Sequence, residues 1–122
     1  MRANLRLAAV DLDRVRMVRG MSTDSAIQVE VGGPFELIIV DGDHSRAGVA
    51  ADLDRVETIA APGAVVVMDD YGDPGWPGVT QAVEEHLPRG SRLRLLGSVT
   101  TSAFLTARQP AGTAPLPPGR SL

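Results

Sequence analysis

The chain has 122 residues, 43% of them hydrophobic, with a formal net charge of −3 and no cysteine. It is long enough to bury one core and short for two, so a single small domain is expected. The missing cysteines exclude disulfides, thiolate metal sites and a cysteine nucleophile, and the negative charge argues against nucleic acid as a partner.

The chain opens with Asn4–Val10, whose leucines fit the last turns of a helix without an N-cap ahead of them. Arg2–Val10 is too short, and too soon interrupted by Asp11, for a signal peptide, and no run reaches membrane-spanning length. A soluble cytoplasmic protein with no membrane partner is expected. Val15–Arg19 alternates and predicts a short strand closed by Gly20. Ser22 or Asp24 then caps a helix over roughly 23–31, broken by Gly32-Gly33-Pro34.

Leu37-Ile38-Ile39-Val40 is a run of four apolar residues, three of them β-branched. It is too short for a helix and suits a strand covered on both faces, as in a parallel sheet. This strand, 36–41, runs into Asp41-Gly42-Asp43-His44. Residues 45–59 repeat apolar side chains at helical spacing, with Val49, Ala50, Leu53, Val56 and Ile59 inward, and Ala61-Pro62-Gly63 ends that helix.

Ala64–Met68 is a second buried strand and again runs into acid, Asp69-Asp70-Tyr71. A helix follows over about 77–87, with Pro77 in its first turn and Val79, Ala82, Val83 and Leu87 inward. Residues 93–97 and 102–107 predict two more strands. From Gln109 onward, proline, glycine and small residues predict a disordered tail over 109–122. No internal repeat is visible.

Two parallel strands joined by a helix place their carboxyl ends side by side, where open α/β sheets bind ligands. Carboxylates gathered there repel one another unless they are protonated, hydrogen-bonded to amides or neutralised by a cation. Oxygen ligands point to Mg2+, Mn2+ or Ca2+. The plainer reading is that Asp43 caps the following helix and Asp70 caps a turn.

Phe35–Asp43, the helix ending near Asp52-Leu53, the Ala61-Pro62-Gly63 turn, and Val66-Val67-Met68-Asp69-Asp70-Tyr71 followed by Gly78–Val83 together resemble the second half of class I S-adenosylmethionine-dependent methyltransferases. The resemblance is to small-molecule O-methyltransferases of the macrocin and mycinamicin type and covers roughly residues 3–107. It implies metal-assisted methyl transfer to a hydroxyl of a small molecule, with S-adenosylmethionine as cofactor and a divalent cation, Mg2+, held by Asp41, Asp69 and Asp70. It assigns the base to Asp43. His44 stands where catechol-type relatives carry a lysine and, as an imidazole, is a second candidate. The Gly20-Met21-Ser22 turn corresponds to the segment lying along the adenine.

The glycine-rich loop after the family's first strand and the acidic residue after its second have no counterpart in the sequence. The expectation is therefore a Rossmann-like α/β sheet, N-terminally truncated and missing its first two strands, over residues 1–108. Such a chain is not expected to transfer methyl groups alone. Strands 36–41, 64–68, 93–97 and 102–107 then form a half-sheet, its last strand antiparallel, with an exposed edge that invites self-association. The displaced 15–19 strand is expected to pair at that edge.

Three other classes compete. A phosphoacceptor receiver domain needs a lysine, and all twelve basic residues are arginine, a bias we attribute to a GC-rich genome. A metal-dependent phosphohydrolase lacks the support of a phosphate loop or paired histidines. A non-catalytic remnant or interaction module of the same fold is the third. His86, late in a helix, reads as a surface residue facing the helix dipole. Trp76, set between glycines and prolines, either covers a sugar or phenolic ring of the acceptor or anchors its own loop.

Overall fold

Strands β1 (Phe35–Val40), β2 (Ala60–Asp69), β3 (Leu93–Val99) and β4 (Ser102–Ala107) form one mixed sheet in the order β1-β2-β4-β3. The structure is a computed structural model that describes residue 4, residues 7–110 and residue 112. The chain divides into two units, Met1–Gly32 and Gly33–Leu122. Asn4 and Leu7 are helical and Ala8 N donates to the Asn4 carbonyl at 3.0 Å, in keeping with the helical turn expected over 4–10, whereas the tail from Gln109 lies largely outside the described residues.

In the first unit a 3-10 turn, Leu12–Arg14, precedes helix α1, Ser25–Val31. Of the two candidate caps for α1 the structure uses Asp24, whose carboxylate accepts from Ala26 N at 2.9 Å. The strand expected over Val15–Arg19 does not form, and among the described residues the sheet has four strands. Alternation alone does not make a strand. The segment is held instead by Arg16, whose guanidinium donates to the Val31 carbonyl at 2.8 Å.

In the second unit β1 and β2 are parallel, with Val40 opposite Met68, and β2 and β4 are antiparallel. Helix α2 (Arg46–Ile59) connects β1 to β2, and helix α3 (Pro77–His86) lies between β2 and β3. Val49, Leu53 and Val56 of α2 and Val79, Ala82 and Val83 of α3 are buried against Val66, Met68, Ala103 and Leu105 of the sheet. Full burial of each larger aliphatic side chain contributes about 1.5–3 kcal/mol.

The helices cover one sheet face. Leu37 and Ile39, which alternate with the inward Ile38 and Val40, are 61% and 66% exposed, so β1 is not covered on both faces as the unbroken apolar run suggested. Nor does Ala61-Pro62-Gly63 separate helix from strand. β2 starts at Ala60, directly after α2, and those residues form a bulge between the pairs Phe35–Ala60 and Leu37–Val65, with Gly63 at φ 83.

The end of the sheet away from the aspartates is closed by Glu57. Its carboxylate accepts from the Ser91 hydroxyl, from His86 Nε2 at 2.8 Å and from Arg92 N at 3.1 Å. Arg92 in turn donates to the carbonyls of Glu57, Ala60 and Arg108. His86 is therefore a half-buried clasp between α2 and α3, not the surface residue its position on α3 suggested.

Candidate functional site

Asp41 follows β1 directly and Asp69 ends β2, so the parallel register that sets Val40 beside Met68 brings the acidic segments to one end of the sheet. Asp70 then leaves the strand with φ 60, in the left-handed region that a non-glycine residue seldom occupies and that Asp tolerates better than most. This turn separates the two neighbouring carboxylates. Asp69 accepts a hydrogen bond from the Ser102 hydroxyl of β4 at 3.3 Å, whereas Asp70 faces the start of α2.

There His44 Nε2 lies 2.6 Å from Asp70 Oδ2 and 3.9 Å from Asp41 Oδ1. One ligand atom from each of Asp41, His44 and Asp70 falls within 4.8 Å of the other two. The two carboxylate oxygens suit a divalent cation of the Mg2+ or Mn2+ class, and the imidazole nitrogen lies beside them. The structure thus gathers two of the three residues expected to bind metal, Asp41 and Asp70, with His44 as the third member of the cluster. Asp69, the third expected ligand, is not in that group and accepts from the Ser102 hydroxyl.

Asp43, the other candidate base, is committed to the start of α2. Its Oδ1 accepts from Ser45 N at 2.8 Å, while Ser45 Oγ, as N-cap, accepts from Gly48 N at 3.0 Å. A side chain at Gly48 would overlap the Asp43 carboxylate. Hydrogen bonds from the Ser45 backbone and then its hydroxyl outweigh a small desolvation effect and hold the Asp43 carboxyl below the usual carboxylate range. That makes it a weaker base.

Trp76 was expected either to cover a ring of the acceptor or to anchor its own loop. In the structure its ring stacks on the His44 imidazole, with centroids 4.4 Å apart and planes at 24°. No local pattern announces this contact, because the two residues are brought together by the docking of α3 on the start of α2. Gly78 permits that docking: a Cβ there would stand 2.7 Å from Arg46 N and 2.9 Å from His44 O.

The expected cofactor turn, Gly20-Met21-Ser22, belongs to the first unit. A side chain at Gly20 would run into Ile27 of α1. Asp24 N donates to the Met21 carbonyl at 3.0 Å, and Gln28 Nε2 donates to the Ser22 carbonyl at 2.8 Å. The turn is therefore braced by α1, with Met21 68% exposed.

A mixed sheet with acidic residues at adjacent parallel strand ends and an imidazole between them is a Rossmann-like α/β architecture with a polar strand-end site. A family model described as "Methyltransferase domain" matches residues 2–71, more than half of the chain, and the chain belongs to that family. It is 29% identical over 93 residues to mycinamicin VI 2''-O-methyltransferase of Micromonospora griseorubida, an alignment covering 74% of this chain and 23% of that enzyme.

Two solved structures show the same fold. The O-methyltransferase from Bacillus cereus in complex with SAH superposes with a TM-score of 0.63 at 22% identity, over 88% of this chain and 56% of that one. The MycE methyltransferase from the mycinamycin biosynthetic pathway, in complex with Mg, SAH and mycinamycin VI, gives a TM-score of 0.58 at 24% identity, over 88% and 36%. The chain spans less than a quarter of the curated relative it matches. Among the described residues no helix is long and apolar enough to cross a membrane.

Proposed function

We propose that the chain carries the strand-end site of an S-adenosylmethionine-dependent O-methyltransferase that methylates a hydroxyl of a small molecule with the help of a divalent cation. One observation carries the reading: Asp41, His44 and Asp70 converge within 4.8 Å at the carboxyl ends of adjacent parallel strands in a chain of the methyltransferase family. Asp41 and Asp70 hold the cation in this reading. Asp69, which the resemblance adds to them, also accepts from Ser102. When bound, the cation lowers the pKa of the hydroxyl to be methylated.

Methyl transfer from a sulfonium is an in-line displacement. The oxygen–carbon bond forms as the carbon–sulfur bond breaks, the sulfur leaves as a neutral thioether, and the hydroxyl proton needs an acceptor. In this reading His44 Nε2 donates to Asp70 across the 2.6 Å contact, which leaves Nδ1 of the neutral imidazole with the lone pair. We assign proton acceptance to His44 Nδ1 over Asp43, whose carboxylate is already engaged by Ser45. The Gly20-Met21-Ser22 turn contacts the adenine in the same reading, and a second copy of the chain is the partner we assign to the unpaired edge of β1.

Titration of the 122-residue chain with MgCl2 or MnCl2 and then with S-adenosylmethionine, followed by calorimetry, tests this. Saturable cation binding that Asp41→Asn and Asp70→Asn abolish supports the site. Weak or absent cofactor binding is expected of this chain in either case, since it lacks the counterparts of the cofactor loop and the ribose-binding acid. No cation binding, or binding unchanged by Asp41→Asn and Asp70→Asn, would favour a non-catalytic module of the same fold.

A further inference from the structure

Trp76 is 48% exposed, so it is not held in place by core burial, and yet its ring is aligned on one particular neighbour. That neighbour is His44, at a centroid distance of 4.4 Å. A single hydrogen bond from Nε2 to Asp70 leaves an imidazole free to swing about the bond. A second contact on the ring face removes that freedom, and stacked aromatic pairs are attractive enough to matter for a side chain that is only partly buried.

The indole has a rigid mount. Trp76 N donates to the Asp73 carbonyl at 3.0 Å, Val79 N donates to the Trp76 carbonyl at 3.1 Å, and Gly75 N donates to Asp73 Oδ1 at 2.8 Å. Gly72 N reaches Thr80 Oγ1 at 2.8 Å, closing the loop back onto α3. The close approach at Gly78 and the ion pair of Arg46 Nη2 with Glu85 Oε1 at 2.7 Å then tie α3 to the start of α2, the segment that carries His44.

We infer that Trp76 is the positioning residue of the strand-end site: its indole face fixes the His44 imidazole in the orientation that meets Asp70, and through Asp70 it sets the cation affinity. This rests on the cation reading above. Neither the family match nor the acidic motifs assign this role to Trp76, which lies beyond the residues 2–71 that the family model matches.

The test uses the full chain, whose two histidines make the ring protons simple to assign by NMR. Trp76→Leu keeps an apolar side chain without a ring; Trp76→Phe keeps a ring. The expected result is that Trp76→Leu moves the His44 ring protons downfield, as the ring current is lost, with those of His86 unchanged, and weakens Mn2+ binding measured by calorimetry about fivefold. Trp76→Phe retains the upfield His44 signals and most of the affinity. His44 signals that stay in place in Trp76→Leu, or equal Mn2+ affinities in wild type and Trp76→Leu, overturn the positioning role and leave the cation reading intact. A wild-type chain that does not bind Mn2+, while its His44 signals still respond to Trp76→Leu, overturns the cation reading and upholds the stacking as what orients His44.

Discussion

His44 Nε2 and Asp70 Oδ2 meet at 2.6 Å across 26 residues of sequence. The contact joins the start of α2 to the turn leaving β2 and divides two adjacent carboxylates into different environments, since Asp69 bonds Ser102 at 3.3 Å. The consequence is unequal sensitivity to neutralisation. Asp70→Asn is expected to weaken Mn2+ binding at least about tenfold, whereas Asp69→Asn changes it by less than about threefold. Calorimetric titration of both variants checks this, and equal losses would put the cation between the two strands at Asp69.

The two candidate bases separate in the same way. In the active enzyme His44→Ala is expected to lower kcat by about 100-fold or more, while the affinity for S-adenosylmethionine is retained, because a general base acts on the acceptor proton alone. Asp43→Asn is expected to destabilise the start of α2, seen as a lower urea midpoint, with a smaller effect on kcat. A larger kcat loss in Asp43→Asn than in His44→Ala would return the role to Asp43.

Gly78→Ala tests the mount on which the site is built. Its Cβ would stand 2.7 Å from Arg46 N and 2.9 Å from His44 O, and neither backbone atom can move aside without shifting the start of α2. Overpacking of this kind costs about 1–3 kcal/mol. Urea unfolding should register that loss, and the quenching or shift of Trp76 emission relative to wild type should report the parting of the stacked rings. Trp76 is the only tryptophan in the chain.

Acid sensitivity is expected at the opposite end of the sheet. Burial raises the Glu57 carboxyl, but hydrogen bonds from Ser91, His86 and Arg92 N, with the charge of His86, outweigh it and hold the group below its ordinary 4.5. A carboxyl lowered in the folded state binds protons more weakly than in the unfolded chain. Its contribution to stability is therefore complete above the ordinary value and is lost as pH falls through the lowered one. Glu57→Gln should flatten the stability profile across that acid range, measured by urea unfolding from pH 6 downward to about pH 3. It should also lower stability near neutrality by about 1–3 kcal/mol, since Ser91 and Arg92 N lose a charged acceptor.

Much of the fold was legible in the residues because periodicity encodes burial. The spacing of Val49, Leu53 and Val56 placed α2, Pro77 placed the start of α3, and the apolar runs ending in Asp41 and in Asp69-Asp70 placed parallel strands with acidic ends together. Family membership was carried by those same runs. Where a segment's structure depended on a partner, pattern misled: Val15–Arg19 alternates but forms no strand, and Leu37 and Ile39 are apolar on a face that the helices do not cover.

The composition of the site was decided by tertiary structure. Sequence brings Asp41, Asp43, His44, Asp69 and Asp70 to one end of the sheet, because strand register fixes where each segment emerges. It does not say which of them face one another. That choice is made by the φ of 60 at Asp70, by Ser45 occupying Asp43, by Ser102 taking Asp69 and by Gly78 admitting α3 close enough for Trp76 to meet His44. Each is a rotamer or backbone choice worth on the order of 1–3 kcal/mol. Energies of that size are settled by long-range packing, and local pattern carries no record of them.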